Sequence, residues 1–289
     1  MSDVPVLALP GVSGDFHGRK TRVLENGHCW IEVLSEGGPR IVRFGLVGEE
    51  SVLAETPDVT WDSGHGVYEL LGGHRLWFAP ECTECSVPDG TGLTLSGISD
   101  GNGPSVRMAG AVQAPTGLRK TIEVRLARIT ATVLVRHILA NEGDRSRELS
   151  PWPITQLKGG GVATVGLPER TSAHDVTPNQ LVVLWPYSSW TDDRLVLGEL
   201  TLTVSAAPGE PFKVGCLSHE GVVNYRRDGL SFTKRFEPAL GSAHADMGAN
   251  VEIYCDERGI ELESIGPLVT LAPGESVTYD ERWELRRVG

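Results

Sequence analysis

Apolar residues in this chain recur mostly at every second position or in short β-branched runs, the signature of strands rather than helices. Lys120-Thr121-Ile122-Glu123-Val124-Arg125-Leu126 alternates cleanly, with Ile122, Val124 and Leu126 on one face. Residues 130–139 form a β-branched run, and 199–205 alternate again. Strands at 251–255 and 260–264 are joined by Asp256-Glu257-Arg258-Gly259, a short link ending in glycine that suits a hairpin. A last strand is predicted over 276–285. No window of about 11 or more residues keeps apolar side chains at helical spacing, so helices should be few and short. The 35 Gly and 18 Pro residues are spread along the whole length and divide it into short segments. Many strands with Gly/Pro turns predict an all-β sandwich or barrel. Without an internal repeat or a long linker, residues 1–289 read as one domain, with 1–18 as a loosely ordered N-terminal extension.

Composition narrows the class of protein. At 289 residues the chain can bury a substantial core, and 40% hydrophobic with 22% charged residues is an ordinary globular balance. No apolar run approaches the roughly 18 residues that would cross a bilayer. The first residues, MSDVPVLALPGVSGDFHG, lack a basic stretch followed by a sustained apolar one, which predicts a soluble, cytoplasmic protein without a membrane partner. A net charge of −12, without any Lys/Arg run, argues against nucleic acid as a partner. The five cysteines form no even-numbered framework. Cys82 and Cys85 make a C-x-x-C, but no second pair or H-x-x-x-H completes a zinc site. They are expected to be reduced, packed thiols, with no metal and no cofactor.

Candidate chemistry lies where charges interrupt apolar faces, because an unpaired buried charge is expensive. Glu281 falls on the otherwise apolar face of the last strand, where it reads as a paired structural carboxylate. Lys234 lies between Phe232 and Phe236 on one face, and Glu261 and Glu263 share a face opposite Ile260 and Leu262. The stretch Gly72-Gly73-His74-Arg75-Leu76-Trp77-Phe78-Ala79-Pro80-Glu81 packs an imidazole, a guanidinium, two aromatics and a carboxylate behind a glycine pair. Histidine is the side chain best poised for acid–base work near neutrality. Of the seven tryptophans, Trp77, Trp152, Trp185 and Trp190 lie near Pro, Gly or charged residues, where flat indole faces suit the apolar faces of sugar rings.

At these residues the sequence resembles a bacterial family within the galactose mutarotase-like (aldose 1-epimerase-like) superfamily. The matching stretches are GGHRLWFAPE (72–81), PTGLRKTIEV (115–124), SPWPITQLKGGG (150–161), LVVLWPYSSWTDDR (181–194), FKVGC (212–216) and residues 249–285. The resemblance implies a β-supersandwich of two large twisted antiparallel sheets, and exchange of the α and β anomers of an aldose. In that chemistry a base takes the anomeric hydroxyl proton and an acid protonates the ring oxygen. The base is a glutamate on a late strand, a place held here by Glu263 ahead of Leu271-Ala272-Pro273-Gly274. The stretch that normally supplies an acid histidine reads Ser150-Pro151-Trp152-Pro153-Ile154-Thr155, with no histidine. His74 is therefore the expected acid, unless the exchange chemistry has been lost. Arg75 resembles the substrate-holding arginine. Lys234 and Arg235 are read either as ligands of an acidic sugar or sugar phosphate, or as partners of Glu252 or Glu263.

The leading expectation is an aldose 1-epimerase-like enzyme acting on a small sugar. Glu263 and His74 are its catalytic pair, and Arg75, Trp77, Trp152, Trp185, Lys234 and Glu252 bind the substrate. His74, Arg75, Lys234 and Glu263 should line one concave pocket with at least one Trp. The alternatives are a carbohydrate-binding protein without turnover, and a glycoside-cleaving or sugar-isomerising enzyme using Glu252 and Glu263 as paired carboxylates.

Overall fold

A computed structural model describes residues 9–98, 103–169, 171–172 and 174–289. In chain order the strands begin with β1 (Val12–Phe16), β2 (Arg19–Glu25), β3 (Cys29–Leu34), β4 (Ile41–Leu46), β5 (Glu55–Asp62), β6 (Val67–Gly72) and β7 (His74–Ala79). The middle of the chain adds β8 (Thr94–Gly97), β9 (Ser105–Gln113), β10 (Leu118–Leu126), β11 (Thr132–Asn141), β12 (Arg147–Leu157), β13 (Val162–Gly166), β14 (Val182–Leu184) and β15 (Leu195–Leu197). The rest are β16 (Thr201–Ser205), β17 (Phe212–Cys216), β18 (Val222–Arg227), β19 (Leu230–Phe236), β20 (Val251–Asp256), β21 (Gly259–Ser264), β22 (Val269–Leu271) and β23 (Ser276–Arg287). Among the described residues the helical elements are two single 3-10 turns, Thr83–Ser86 and Asp246–Gly248. The alternating segments at 120–126, 251–255, 260–264 and 276–285 all lie within strands. Of the expected N-terminal extension, Val12–Phe16 pairs with β2 as a strand, and residues 1–8 lie outside the described residues.

The strands form two large antiparallel sheets and one hairpin. An 11-stranded sheet runs β1-β2-β3-β4-β7-β12-β21-β20-β17-β14, with β22 also paired to β12. A 10-stranded sheet runs β15-β16-β13-β18-β19-β23-β11-β10-β9-β8, and β5 pairs with β6 as a separate two-stranded sheet. The large sheets pack face to face through their apolar sides. Phe44 of the first meets Phe232 and Trp283 of the second at ring-centroid distances of 6.3 and 6.0 Å. One face of each strand is thereby buried, and the period of two sends the next residue to the opposite face.

Two glycine positions shape the ground around β7 and β17. Gly73 has φ +65°, and a Cβ there would lie 2.1 Å from the Ile41 carbonyl oxygen, so only glycine lets β7 start this close to β4. At Gly215 a Cβ would press on Val183, Ala249 and the Glu252 side chain. Its bare backbone leaves room for Glu252, its cross-strand partner.

Candidate active site

A pocket of about 220 Å³ opens on the side of the 11-stranded sheet that faces away from the other sheet. Its floor is built from cross-strand neighbours. Arg75 (β7) pairs with Ile154 (β12), Ile154 with Glu263 (β21), and Glu263 with Glu252 (β20). One row further along, Glu261, Tyr254 and Lys213 sit side by side on β21, β20 and β17. Trp77 and Trp152 pair on the other flank. Trp61, Leu70, Glu81, Tyr187 and Arg258 complete the walls. The volume falls below the several hundred cubic ångströms of a drug-sized site and suits one small polar molecule.

Lys213 organises the floor. Its Nζ lies 2.9 Å from Glu263 Oε2 and 2.6 Å from Glu252 Oε2, and Trp152 Nε1 donates to the same Glu263 oxygen at 2.6 Å. The Glu252 contact is close but poorly aligned for a hydrogen bond, and Glu252 Oε1 has no donor among the described residues. The indoles of Trp152 and Trp185 flank the ammonium, each with its ring centroid 4.6 Å away. Burial works against the Lys213 charge, but Glu263 and Glu252 outweigh it and hold the group protonated well above its ordinary range. Burial likewise pushes the Glu252 carboxyl well above the usual carboxylate range, with Lys213 opposing. Arg75 is held as firmly. It donates to both oxygens of Glu261 at 3.0 and 3.1 Å and lies over the Trp77 ring at 4.7 Å.

Arg75, Trp77, Trp152 and Glu263 thus meet in one pocket. Trp185 reaches it only as a cover over Lys213, and Glu252 is sealed beneath that lysine. His74 and Lys234 do not line it, which corrects the expectation that all four charged candidates share one wall. His74 directly precedes Arg75 on β7, so the two side chains project from opposite faces, and His74 points between the sheets. There His137 Nδ1 lies 3.0 Å from the Tyr279 carbonyl, which can only accept, so that nitrogen carries the proton. Its Nε2 accepts from His74 Nε2 at 2.7 Å, and His74 Nδ1 accepts from the Thr155 hydroxyl at 2.9 Å. Burial lowers the pKa of both imidazoles, so each is neutral. Lys234, also fully buried, bonds Glu281 Oε1 at 2.9 Å and the Leu262 carbonyl at 3.0 Å. It is therefore the partner of Glu281, and not of Glu252 or Glu263. Ligand atoms of His74, His137 and Glu281 lie within 4.8 Å of one another, close enough to hold a metal ion. The Lys234 ammonium already occupies the cation's place beside Glu281, and Ser264 and Trp283 donate to the same carboxylate. The donor set is that of a satisfied core cluster.

Several pocket residues were not among the expected site residues. Lys213 sits inside Phe212-Lys213-Val214-Gly215-Cys216, where the one clue is a charge on a strand that is otherwise wholly apolar. Tyr187, Tyr254, Arg258 and Trp61 come from separate loops and strands that meet only after folding. Glu81 closes the very stretch that supplies Arg75 and Trp77. Cys85 is buried and Cys82 exposed, both as free thiols, so the packed description fits Cys85 alone.

No protein-family model matches the sequence, and no curated protein matches it either. Solved structures do. A galactose mutarotase-like protein from Lactobacillus casei superposes with a TM-score of 0.60 at 13% identity, covering 92% of this chain and all of that one. A candidate aldose 1-epimerase from Klebsiella pneumoniae gives a TM-score of 0.60 at 9% identity over 98% of this chain and 82% of its own. A TPR-domain containing protein from Parabacteroides distasonis gives 0.62 at 12% identity over 92% of this chain. The present chain spans about half of that longer protein, 47% of its length. At such identities the likeness shows the fold, and the fold is galactose mutarotase-like.

Proposed function

We propose that the pocket binds a single sugar ring and exchanges its anomers, with Glu263 as the general base. The observation that carries this reading is the setting of Glu263. Both of its protein donors go to Oε2, and Oε1 takes no donor among the described residues, in a ring-sized pocket walled by indoles. A carboxylate oriented by Trp152 and Lys213 keeps one oxygen for the anomeric hydroxyl of a sugar held in that pocket. As Glu263 takes that proton, the bond between C1 and the ring oxygen breaks with its electron pair left on the ring oxygen, which takes a proton from solvent water, and both transfers are reversed on closure. Rotation about C1–C2 and closure on the other face then give the second anomer. The Lys213 ammonium on the pocket wall stabilises negative charge on the ring oxygen. Because Glu252 and Glu263 hold its proton, it serves more by charge than by proton release, and the reading implies slow turnover. Calorimetric titration with a panel of monosaccharides, combined with exchange spectroscopy on the one that binds, tests the proposal.

Binding without turnover is the second reading, favoured by one observation: among the described residues no imidazole lines the pocket. Bond cleavage between Glu252 and Glu263 has no such support, since Glu252 is sealed behind Lys213 and no substrate bond reaches both carboxylates.

A further inference from the structure

The charges around the pocket are distributed unequally. Three cations line it, and each is already bound: Arg75 to Glu261, Lys213 to Glu252 and Glu263, and Arg258 to Asp256. Glu81, solvent-exposed on the pocket wall, has no hydrogen bond or ion pair among the described residues. With Asp256 behind Arg258 included and Glu252 left out, four carboxylates (Glu81, Glu261, Glu263 and Asp256) stand against these three cations. A phosphate or carboxylate on the ligand would meet no free cation and would feel net repulsion.

We propose that the pocket selects a sugar bearing a protonated amino group, with Glu81 as its counter-charge, and disfavours phosphorylated and acidic sugars. The inference rests on the sugar-binding reading and adds the charge class of the ligand. Aromatic faces favour the same class. The Trp77 and Trp152 faces are engaged by Arg75 and Lys213, whereas Trp61 and Tyr187, which also line the pocket, carry no cation over their rings among the described residues and can attract a ligand cation. Although Glu81 as a residue is exposed, protein crowded around its carboxyl raises its pKa. A cationic ligand would relieve that cost, whereas a neutral hexose would do so only by hydrogen bonding.

Calorimetric titration of the full chain at pH 7 with D-glucosamine, D-galactosamine, the two parent hexoses, glucose 6-phosphate and galacturonate tests the assignment. An amino sugar should bind about fivefold more tightly than its parent hexose, as one partly exposed ion pair contributes up to about that factor. Phosphorylated and acidic sugars should bind more weakly than the neutral ones. In Glu81→Gln, with its fold checked by circular dichroism, the amino-to-neutral affinity ratio should fall to about one. Glucose 6-phosphate or galacturonate binding as tightly as a parent hexose would overturn the proposal and leave the sugar reading standing. So would the lack of any amino preference in the wild type, or a preference that survives in Glu81→Gln. If no sugar binds, the sugar reading falls, and this inference with it.

Discussion

Replacing Lys213 by methionine removes one cation from between two sealed carboxylates while nearly keeping the side chain's shape. The ammonium lies 2.6 and 2.9 Å from Glu252 and Glu263, whose side chains are 0% and 1% exposed. At an effective dielectric of about 20 the Glu263 contact is worth about 6 kcal/mol of attraction, and the Glu252 contact as much where that carboxyl is ionised. Desolvation of the three ions offsets much of it, at several kcal/mol per ion. Deleting one partner does not recover that desolvation, because the two carboxylates stay buried as direct cross-strand neighbours. The expected loss is therefore about 3–5 kcal/mol at pH 7, the range for breaking a buried pair. The sign of its pH dependence follows from Glu252, whose folded pKa is already raised. A carboxyl raised on folding stabilises most below its unfolded pKa, and that contribution fades as pH rises through the folded value. Without Lys213 the raise is larger, so the penalty should be smallest near pH 5 and largest near pH 8. Urea unfolding of both proteins at pH 5, 7 and 8 measures this directly. A loss under about 1 kcal/mol at pH 7, or one that is flat across the series, would refute the reasoning.

Two further outcomes follow from the buried groups. Ellman's reagent should titrate one thiol, Cys82, in the native protein and five after denaturation. Burial pushes Cys29 and Cys255 up to about 11, and Cys85 and Cys216 up to about 12, so a second fast thiol would show that the 82–86 turn opens. Lys234→Met should cost about 3–5 kcal/mol by stranding Glu281, while Lys234→Met combined with Glu281→Gln should recover most of the loss in a double-mutant cycle. Burial opposes the Glu281 charge, but Lys234, with the Ser264 hydroxyl, holds its pKa below the ordinary value, so its contribution is intact at neutral pH and is lost as pH falls through that low value.

The fold was largely legible in the sequence because it rests on local alternation. Ile122, Val124 and Leu126 face the core as their spacing demands, and the 256–259 link closes the predicted hairpin. The site was legible only in part. Glu263, Arg75, Trp77 and Trp152 stand out as polar or aromatic residues within strand patterns, and they converge. His74 was misplaced although the strand period itself excludes it: a residue adjacent to Arg75 within β7 cannot share its face. Lys234 was a true anomaly with the wrong partner, because a charge on an apolar face announces that it is paired without saying with what. Glu281, with three strands between them in the chain, is its neighbour only through the β19–β23 pairing. Lys213 was missed for a related reason. The charge in its otherwise apolar five-residue strand shows that it is paired, and says nothing of the pocket that one face of the strand borders.

Anomer exchange by wild type and Glu263→Gln tests the central claim most directly. Glutamine keeps the shape and can still accept from Trp152 and Lys213, but it cannot serve as a base at neutral pH. Two-dimensional exchange spectroscopy on the best-binding aldose, with calorimetry on the same samples, separates turnover from affinity. The wild type should accelerate exchange above the spontaneous background. The variant should lose about 10²–10⁴-fold of that acceleration, the usual contribution of a positioned base, while its affinity changes much less. Full exchange activity in Glu263→Gln, or no acceleration by wild type of any aldose that it binds, would contradict the account.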